Sequence, residues 1–291
     1  MKKTIVCLSA YLMIVAVSFK PSTASEGNTA AATTGTSAPA NEEAKVTDYI
    51  SAVYKQIDFK GCNALSYEVF QKAYNGYLNL RDAGKLGADK DVITICDFSL
   101  ASTEPRMWVI DLAQNKVLFN TYVAHGQGSG DVFATSFSNK MNSHQSSLGF
   151  YVTGDTYNGK HGLQLRLNGM DQGFNHDALD RGVVVHGSKY VSEQYVQANN
   201  KLGRSWGCPA VSNELAKPII QNIKGGTCLF IYSKDEKYQQ TAYWMNKKAT
   251  NVPENMYAAV MAHNISKPKT ITYQYMTNGK VDSVKQVIVA Q

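Results

Sequence analysis

Short runs of apolar residues that recur with a period of two dominate the chain from Asp91 to Tyr232. Such alternation is typical of strands that bury one face of a sheet. The runs are DVITICDF, RMWVIDLAQNKVLFNTYV around a polar turn, GFYVTG, LQLRL, GVVVHG and TCLFIY. Many short strands with few helices predict a mainly β fold, either a β-sandwich or an open barrel.

Helical spacing precedes and interrupts this β region. Residues 46–86 are predicted to be helical, with a short helix from Val46 to about Lys55 and a longer one that Ser66 caps. The apolar face of the longer helix is formed by Phe70, Ala73, Tyr74, Tyr77 and Leu78. A later helix is predicted where Ser212 caps NELAKPIIQNIK, and Pro218 is expected to kink it or delay its start. Near the C-terminus, alternating residues around Asn278-Gly279 predict a β-hairpin.

The first 24 residues have the pattern of a secretory signal peptide, because two lysines precede the apolar run Thr4–Phe19 and small residues follow it. The run is shorter than the ~20 residues that a spanning helix needs, so cleavage is expected and a retained anchor is the alternative. The sequence shows no second run long enough to span a membrane. We therefore expect a secreted protein, periplasmic or associated with the cell wall.

Composition divides the rest of the chain. Residues 25–45 are rich in Ala, Thr, Ser and Gly and predict a flexible linker. A helical segment (46–90), a β domain (91–238) and a C-terminal extension with the hairpin (239–291) follow. The net charge is +6, and removing three signal-peptide lysines would leave 6 − 3 = +3. Without a block of basic residues, nucleic acid is not an expected partner. The sequence does not predict an oligomeric state.

Cys208 lies in the loop sequence GRSWGCPAVS and is a candidate nucleophile. A thiol nucleophile needs a base, and His186 ends the apolar strand GVVVHG, where Gly187 lets the backbone turn away. The amides of Gly207 and Cys208 are expected to face one point and form an oxyanion hole. Arg204 and His186 are expected to lower the pKa of the thiol.

Other readings of these residues remain open. Four cysteines follow the signal peptide, so Cys208 can instead pair with Cys228 in a disulfide or be an inert buried thiol. His186 can be a buried structural histidine. The sequence shows no His/Cys/Asp/Glu cluster with zinc spacing, and we expect neither a metal nor a cofactor.

The order of these pieces resembles the L,D-transpeptidase family, also called the YkuD fold. The similar pieces are His186-Gly187, Ser205-Trp206-Gly207-Cys208, the Gly-Gly-Thr strand start at Gly225, and Ser147-Leu148-Gly149-Phe150. Residues 91–234 look most like the branch of murein L,D-transpeptidase catalytic-domain proteins. The C-terminal residues from Asn251 lie outside the resemblance.

The resemblance implies a mainly β sandwich or barrel with a cleft and a cysteine acyl transfer on peptidoglycan stem peptides. Cys208 would attack the amide before the terminal D-alanine of a tetrapeptide. His186, held by the Gly187 backbone carbonyl, would give its proton to the leaving D-alanine. The acyl group would pass to an amine of a neighbouring stem in a 3→3 crosslink. Other members use water, a D-amino acid or a protein lysine as acceptor, and the family resemblance implies a stable thioester with carbapenems.

Two positions depart from the family pattern. Trp206 stands where the family has histidine, and Pro209-Ala210 stand where it has an apolar residue and then arginine or asparagine. The work of the missing polar groups is expected to fall to Arg204, His161 or Arg166. The glycine-rich stretch 154–173 is expected to be a lid that brings Tyr157 and His161 to the cleft, or else a solvated loop. His125 and His144 are further candidates for the cleft wall.

Two rival functions remain at this stage. One is a hydrolase on the same scaffold, either an L,D-carboxypeptidase or an amidase that releases wall-bound protein. The other is a binding module of the cell wall without catalysis, in which a disulfide holds Cys208. The acyl acceptor and the role of the C-terminal hairpin do not follow from the sequence.

Overall fold

The computed structural model describes residues 39–252, 257–258, 260–262, 269–277 and 280–289. The predicted signal peptide and most of the predicted linker lie outside the described residues, as does the Asn278-Gly279 turn. Within the described part, no helix combines the length and the apolar character that a membrane crossing requires.

Eight strands form one mixed sheet in the order β3-β2-β1-β8-β4-β5-β6-β7. Their bounds are β1 Val92–Asp97, β2 Met107–Asp111, β3 Lys116–Thr121, β4 Gly149–Gly159, β5 Gly162–Gly169, β6 Val184–Gly187, β7 Ala210–Val211 and β8 Cys228–Tyr232. β1 pairs with β8 and β6 pairs with β7 in parallel, while the other neighbours are antiparallel. Each of the six predicted runs therefore contains the strands expected of it.

The two edges of this sheet meet. The chain after β3 forms an antiparallel bridge from Ala124 to Ala210 of β7 and a second bridge from Gly126 to Ser205. The eight strands thus form a nearly closed barrel, with this narrow seam beside the loop that carries Cys208. The predicted mainly β fold is confirmed.

In the described part of the chain, six α-helices have defined bounds: α1 Pro39–Gln56, α2 Tyr67–Asp82, α3 Glu193–Asn199, α4 Asn213–Ile223, α5 Glu236–Thr241 and α6 Tyr243–Asn246. α1 begins inside the stretch predicted as linker, so residues 39–45 are helical. Proline is well tolerated in the first turn of a helix, where its fixed backbone angle suits the helical conformation. This local chemistry outweighs the low-complexity composition on which the linker prediction rested.

Helix termini match the sequence only in part. The Ser212 hydroxyl accepts the Leu215 amide at 3.3 Å, so the predicted cap of α4 is present. Pro218 lies inside α4, which begins directly after its cap without the expected delay. Ser66 precedes α2, but its side chain makes no capping hydrogen bond.

The core lies between the sheet and the helices α2 and α4. The rings of Phe150 in β4 and Phe230 in β8 stack with centroids 4.2 Å apart. A side chain at Gly76 would collide with the Phe150 ring, so glycine lets α2 lie directly against the sheet. The helical segment and the β domain therefore share one core.

The C-terminal extension joins this core as well. The side-chain amides of Asn75 and Asn79 in α2 donate to the Met245 and Lys247 carbonyls at 2.9 and 2.6 Å. Ala249 is buried at 5 % exposure. The boundary predicted at residue 238 falls inside α5 and does not separate two folded parts. Further along, strands β9 (Lys269–Thr277) and β10 (Lys280–Val289) pair antiparallel as the predicted hairpin.

Candidate active site

A cleft of about 640 Å³ lies beside β6 and the loop that leads into β7. Both predicted catalytic side chains, Cys208 and His186, line it. Its wall also contains the other polar and aromatic side chains selected from the sequence, namely Tyr157, His161, Arg204, Ser205 and Trp206. The short parallel pairing of β6 with β7 explains why His186 and Cys208 share the cleft, since it sets His186 opposite Ala210, two residues beyond Cys208.

His186 is held as a neutral base. Its Nδ1 lies 2.9 Å from the Gly187 carbonyl oxygen. A carbonyl oxygen can only accept, so the proton is on Nδ1 and Nε2 keeps its lone pair. The side chain is 4 % exposed, and burial lowers its pKa below the usual 6.5 despite the Gly187 hydrogen bond. His161 stacks on the ring with centroids 4.5 Å apart.

The loop before Cys208 is fixed by its own hydrogen bonds. Ser205 Oγ donates to the Cys208 carbonyl at 2.6 Å and accepts the Gly207 amide at 3.0 Å. The Gly207 amide is therefore occupied, and the expectation that it helps to form an oxyanion hole is corrected. The Ser205 hydroxyl competes for that donor because it lies only two residues away. Of the predicted pair, the Cys208 amide remains as a candidate donor.

Glycine is required at position 207. Its φ is +120°, in the region that side chains rarely adopt. A Cβ there would also lie 2.6 Å from the Gln145 carbonyl oxygen. On the other side, a Cβ at Gly126 would lie 2.9 Å from the Gly207 Cα. The cysteine loop thus packs backbone to backbone against two neighbouring segments.

Cys208 is half-buried, and this burial raises the pKa of its thiol above the usual value. A backbone hydrogen bond from Val184 and the charges of Arg181 and Lys160 act in the opposite direction. The prediction of an unusually acidic thiol was wrong, because removal from water outweighs the nearby cations. A neutral thiol and a neutral imidazole in the same cleft are the resting state that these shifts favour.

The cation expected beside the thiol was also misidentified. Arg204 lines the cleft, but its guanidinium donates to the Gly130 carbonyl at 2.9 Å and forms an ion pair with Asp131 at 3.3 Å. Arg181, three residues before the first residue of β6, takes the expected place. Its sequence signal was slight: a basic residue followed by glycine directly before an apolar strand.

The described cysteines are free. Cys96 and Cys228 are fully buried in the sheet, and burial raises the pKa of Cys96 to about 12 and that of Cys228 further. Cys62 is half-buried near the N-terminal helices. Cys208 makes no disulfide with Cys228, so its thiol is available in the cleft.

Trp206 forms part of the cleft rim. It is 67 % exposed and stacks on His144, with ring centroids 4.7 Å apart and an interplanar angle of 10°. The Lys160 ammonium lies 5.5 Å from the indole centroid. His144 thus supplies an imidazole next to the tryptophan that replaces the family's histidine. His125 is instead fully buried and does not line the cleft.

The glycine-rich stretch 154–173 is largely the β4–β5 hairpin instead of an irregular lid. Its paired strands bring Tyr157 to the cleft, where the phenol donates to Gln164 at 2.7 Å. Its tip carries Lys160 and His161. Arg166 lies over the Tyr157 ring, 4.6 Å from its centroid, and is not part of the cleft wall.

Among the described residues, no group of three or more His, Cys, Asp or Glu side chains is placed to hold a metal ion. The chemistry available in the cleft is that of a thiol, a neutral imidazole, a backbone amide and several cations. This set suits nucleophilic attack on a carbonyl carbon.

The chain is similar to one family of known proteins. A family model described as L,D-transpeptidase catalytic domain matches residues 62–232. No curated protein matches the chain. Similar solved structures include an L,D-transpeptidase from Mycobacterium smegmatis, with a TM-score of 0.32, 12 % identity, and coverage of 49 % of this chain and 59 % of that one.

Two further structures are similarly distant. The helical cell shape determining protein Pgp2 from Campylobacter jejuni has a TM-score of 0.33 and 16 % identity, covering 56 % of this chain and 54 % of that one. The L,D-transpeptidase (Yku) from Stackebrandtia nassauensis has a TM-score of 0.29 and 16 % identity, covering 67 % and 92 %. This chain thus spans less than two thirds of the Mycobacterium and Campylobacter proteins. The family model matches more than half of the 291 residues, and the chain therefore belongs to the L,D-transpeptidase catalytic domain family.

Proposed function

We propose that this protein is an exported, cysteine-dependent L,D-transpeptidase that acts on peptidoglycan stem tetrapeptides in the periplasm or at the cell wall. One observation carries the proposal. The free thiol of Cys208 and the neutral imidazole of His186 line the same cleft, and the Gly187 carbonyl fixes the tautomer that a base needs. Family membership adds the reaction class.

The first step is proton transfer from the Cys208 thiol to Nε2 of His186. The raised thiol pKa and the lowered imidazole pKa keep both groups neutral until substrate is bound. Transfer then occurs as the sulfur attacks, and the positive charges of Arg181 and Lys160 stabilise the developing thiolate.

The sulfur attacks the carbonyl carbon of the amide that precedes the terminal D-alanine. The carbonyl oxygen becomes an oxyanion, for which the Cys208 amide is the candidate donor. The C–N bond breaks, and the protonated His186 gives its proton to the leaving nitrogen of D-alanine. A thioester on Cys208 remains, and neither step requires a metal or a cofactor.

The second half of the reaction regenerates the thiol. An amine of a neighbouring stem loses a proton to His186 and attacks the thioester carbonyl, which forms the 3→3 amide bond and expels the Cys208 sulfur. Water in place of the amine would give a tripeptide, and the enzyme would then be a carboxypeptidase. A lysine amine of a wall protein as acceptor would attach that protein to the stem peptide. The reverse reaction, which releases the protein, is that of an amidase.

Mass spectrometry of the mature protein after incubation with disaccharide tetrapeptides tests the proposal. We expect an acyl adduct on Cys208, release of D-alanine and crosslinked dimers. Cys208→Ser and His186→Ala should lose both adduct and dimers, while Cys62→Ser, the matched control at another half-buried cysteine, should keep them. A carbapenem should add one adduct per chain at Cys208. Tripeptide without dimers would favour the hydrolase, and crosslinking by Cys208→Ser would reject the mechanism. Cell fractionation tests the export.

A further inference from the structure

We propose that Arg181 is a positioning residue that clamps the segment 138–147 against the cysteine loop and sets a fixed positive charge beside Cys208. The inference rests on the proposed function in assigning the nucleophile to Cys208. Arg181 lies in the cleft wall, half-buried, directly before the glycine that leads into β6.

The two terminal nitrogens of the Arg181 guanidinium are saturated by one segment of the chain. Nη1 donates to the Ser138 carbonyl at 2.9 Å and to Ser147 Oγ. Nη2 donates to Ser143 Oγ at 3.2 Å and to the Gln145 carbonyl at 2.9 Å. These four acceptors use the four Nη hydrogens, so the two terminal nitrogens have none left for a substrate carboxylate.

The clamped segment is also the support of the cysteine loop. The Gln145 carbonyl, which Arg181 holds, is the atom that leaves no room for a side chain at Gly207. The next residue, Ser146, donates its hydroxyl to the Gly207 carbonyl at 3.2 Å. Displacement of the segment would therefore move the residue directly before Cys208.

The charge of Arg181 has no direct counter-ion. Among the described residues, no carboxylate forms a salt bridge with it. Its positive charge lowers the pKa of Cys208, and that of Lys160 does so less. Lys160 is exposed at the hairpin tip, whereas four hydrogen bonds hold Arg181 in place. A fixed, partly buried charge is screened less than a mobile exposed one.

The variants Arg181→Met and Arg181→Lys, made in a Cys62→Ser background, separate three roles of Arg181: clamping the segment 138–147, supplying a charge to Cys208, and anchoring substrate. The pH midpoint of iodoacetamide alkylation measures the thiol pKa without any peptide substrate. Tetrapeptide turnover gives kcat and KM. Lys189→Met, which removes an exposed cation outside the cleft wall, is the control.

We expect Arg181→Met to raise the alkylation midpoint by about one pH unit. Arg181→Lys should keep the midpoint, because it keeps the charge. Both should lower kcat at least about tenfold with KM within about twofold, because a misplaced nucleophile loses rate and not binding. Lys189→Met should match the parent in every measurement.

Three results would overturn the inference: an unchanged midpoint in Arg181→Met, parental kcat in Arg181→Lys, or a rise in KM with kcat preserved, which would mark a substrate anchor. If Arg181→Met does not fold, Arg181→Lys decides the clamp, since one ammonium cannot span four acceptors. If the parent shows no transpeptidation, the alkylation curves still decide the charge, so failure of the proposed function remains distinguishable.

Discussion

Replacement of Asp171 by asparagine is expected to change how the stability of the protein depends on pH. Asp171 is 1 % exposed, and its Oδ2 accepts the Phe150 amide at 2.7 Å and the Tyr238 hydroxyl at 3.0 Å. Burial nevertheless raises its pKa from 3.8 to about 6, because these neutral donors do not replace the water that a carboxylate loses.

The size of the effect follows from that shift. A change from 3.8 to about 6 is roughly two pH units, and each unit corresponds to about 1.4 kcal/mol. The folded protein holds this proton more tightly than the unfolded chain. Asp171 therefore contributes about 3 kcal/mol that is fully present below pH 3.8 and is lost as the pH rises to 6.

His125 acts in the opposite direction over nearly the same range. Burial, and then the charge of the buried Arg106, lowers the pKa of His125 to about 4. Its neutral form stabilises the fold above pH 6.5, and this contribution is lost as the pH falls to 4. The pH profile of the wild-type protein alone would hide both effects, so a difference between variants must be measured.

Urea unfolding of wild-type protein, Asp171→Asn and Asp180→Asn at pH values from 4 to 7 isolates the contribution of Asp171 to the free energy of unfolding. The free energy of unfolding of Asp171→Asn should rise relative to wild type by about 2 kcal/mol over this range, the part of the total that falls inside it. Asp180 is exposed on the same segment, so its variant is the matched control for loss of a surface carboxylate. A constant difference for Asp171→Asn would refute the reasoning, whatever its absolute size.

Three further predictions concern the cleft. His186→Gln should lower kcat by about 10²–10⁴-fold. Because the pKa of His186 is lowered, the acid limb of the wild-type kcat/KM profile should have its midpoint below pH 6.5. A higher midpoint would contradict the neutral-base assignment. Gly207→Ala should slow alkylation of Cys208, because the added Cβ meets the Gln145 carbonyl. Gly173→Ala, also at positive φ but in open space, should leave the rate unchanged. Equal alkylation rates for the two variants would contradict the packing argument. Trp206→His should fold, since Trp206 is 67 % exposed, and should change substrate preference; a misfolded variant by circular dichroism would mark a core role.

The features that the sequence predicted well depend on neighbours along the chain. The apolar run that ends at His186 predicts a buried strand, and the strand β6 is buried along its whole length. The hydrogen bond from His186 to the adjacent Gly187 carbonyl is as local as a contact can be, and the resemblance implied it.

Contacts between distant segments were beyond the sequence. Arg181 reaches acceptors 34 to 43 residues away, and no spacing rule links them. The prediction of the thiol pKa failed for a related reason, because burial of Cys208 depends on distant segments such as that of Gly182, 26 residues away along the chain. The sequence shows which charged residue types are present, but it does not show whether their charge or the loss of water decides the pKa shift of the thiol.

The seam of the barrel has a consequence for motion. Two isolated bridges, Ala124–Ala210 and Gly126–Ser205, hold the seam through backbone hydrogen bonds of 2.8 to 3.4 Å, whereas the strands β4 and β5 share a longer ladder. Regions with few such bonds open at lower free-energy cost than the rest of a fold. Amide deuterium uptake should therefore be faster at Ala210 than at Phe230, deep in β8. We therefore expect the barrel to open first along this line, while the far side of the sheet stays intact.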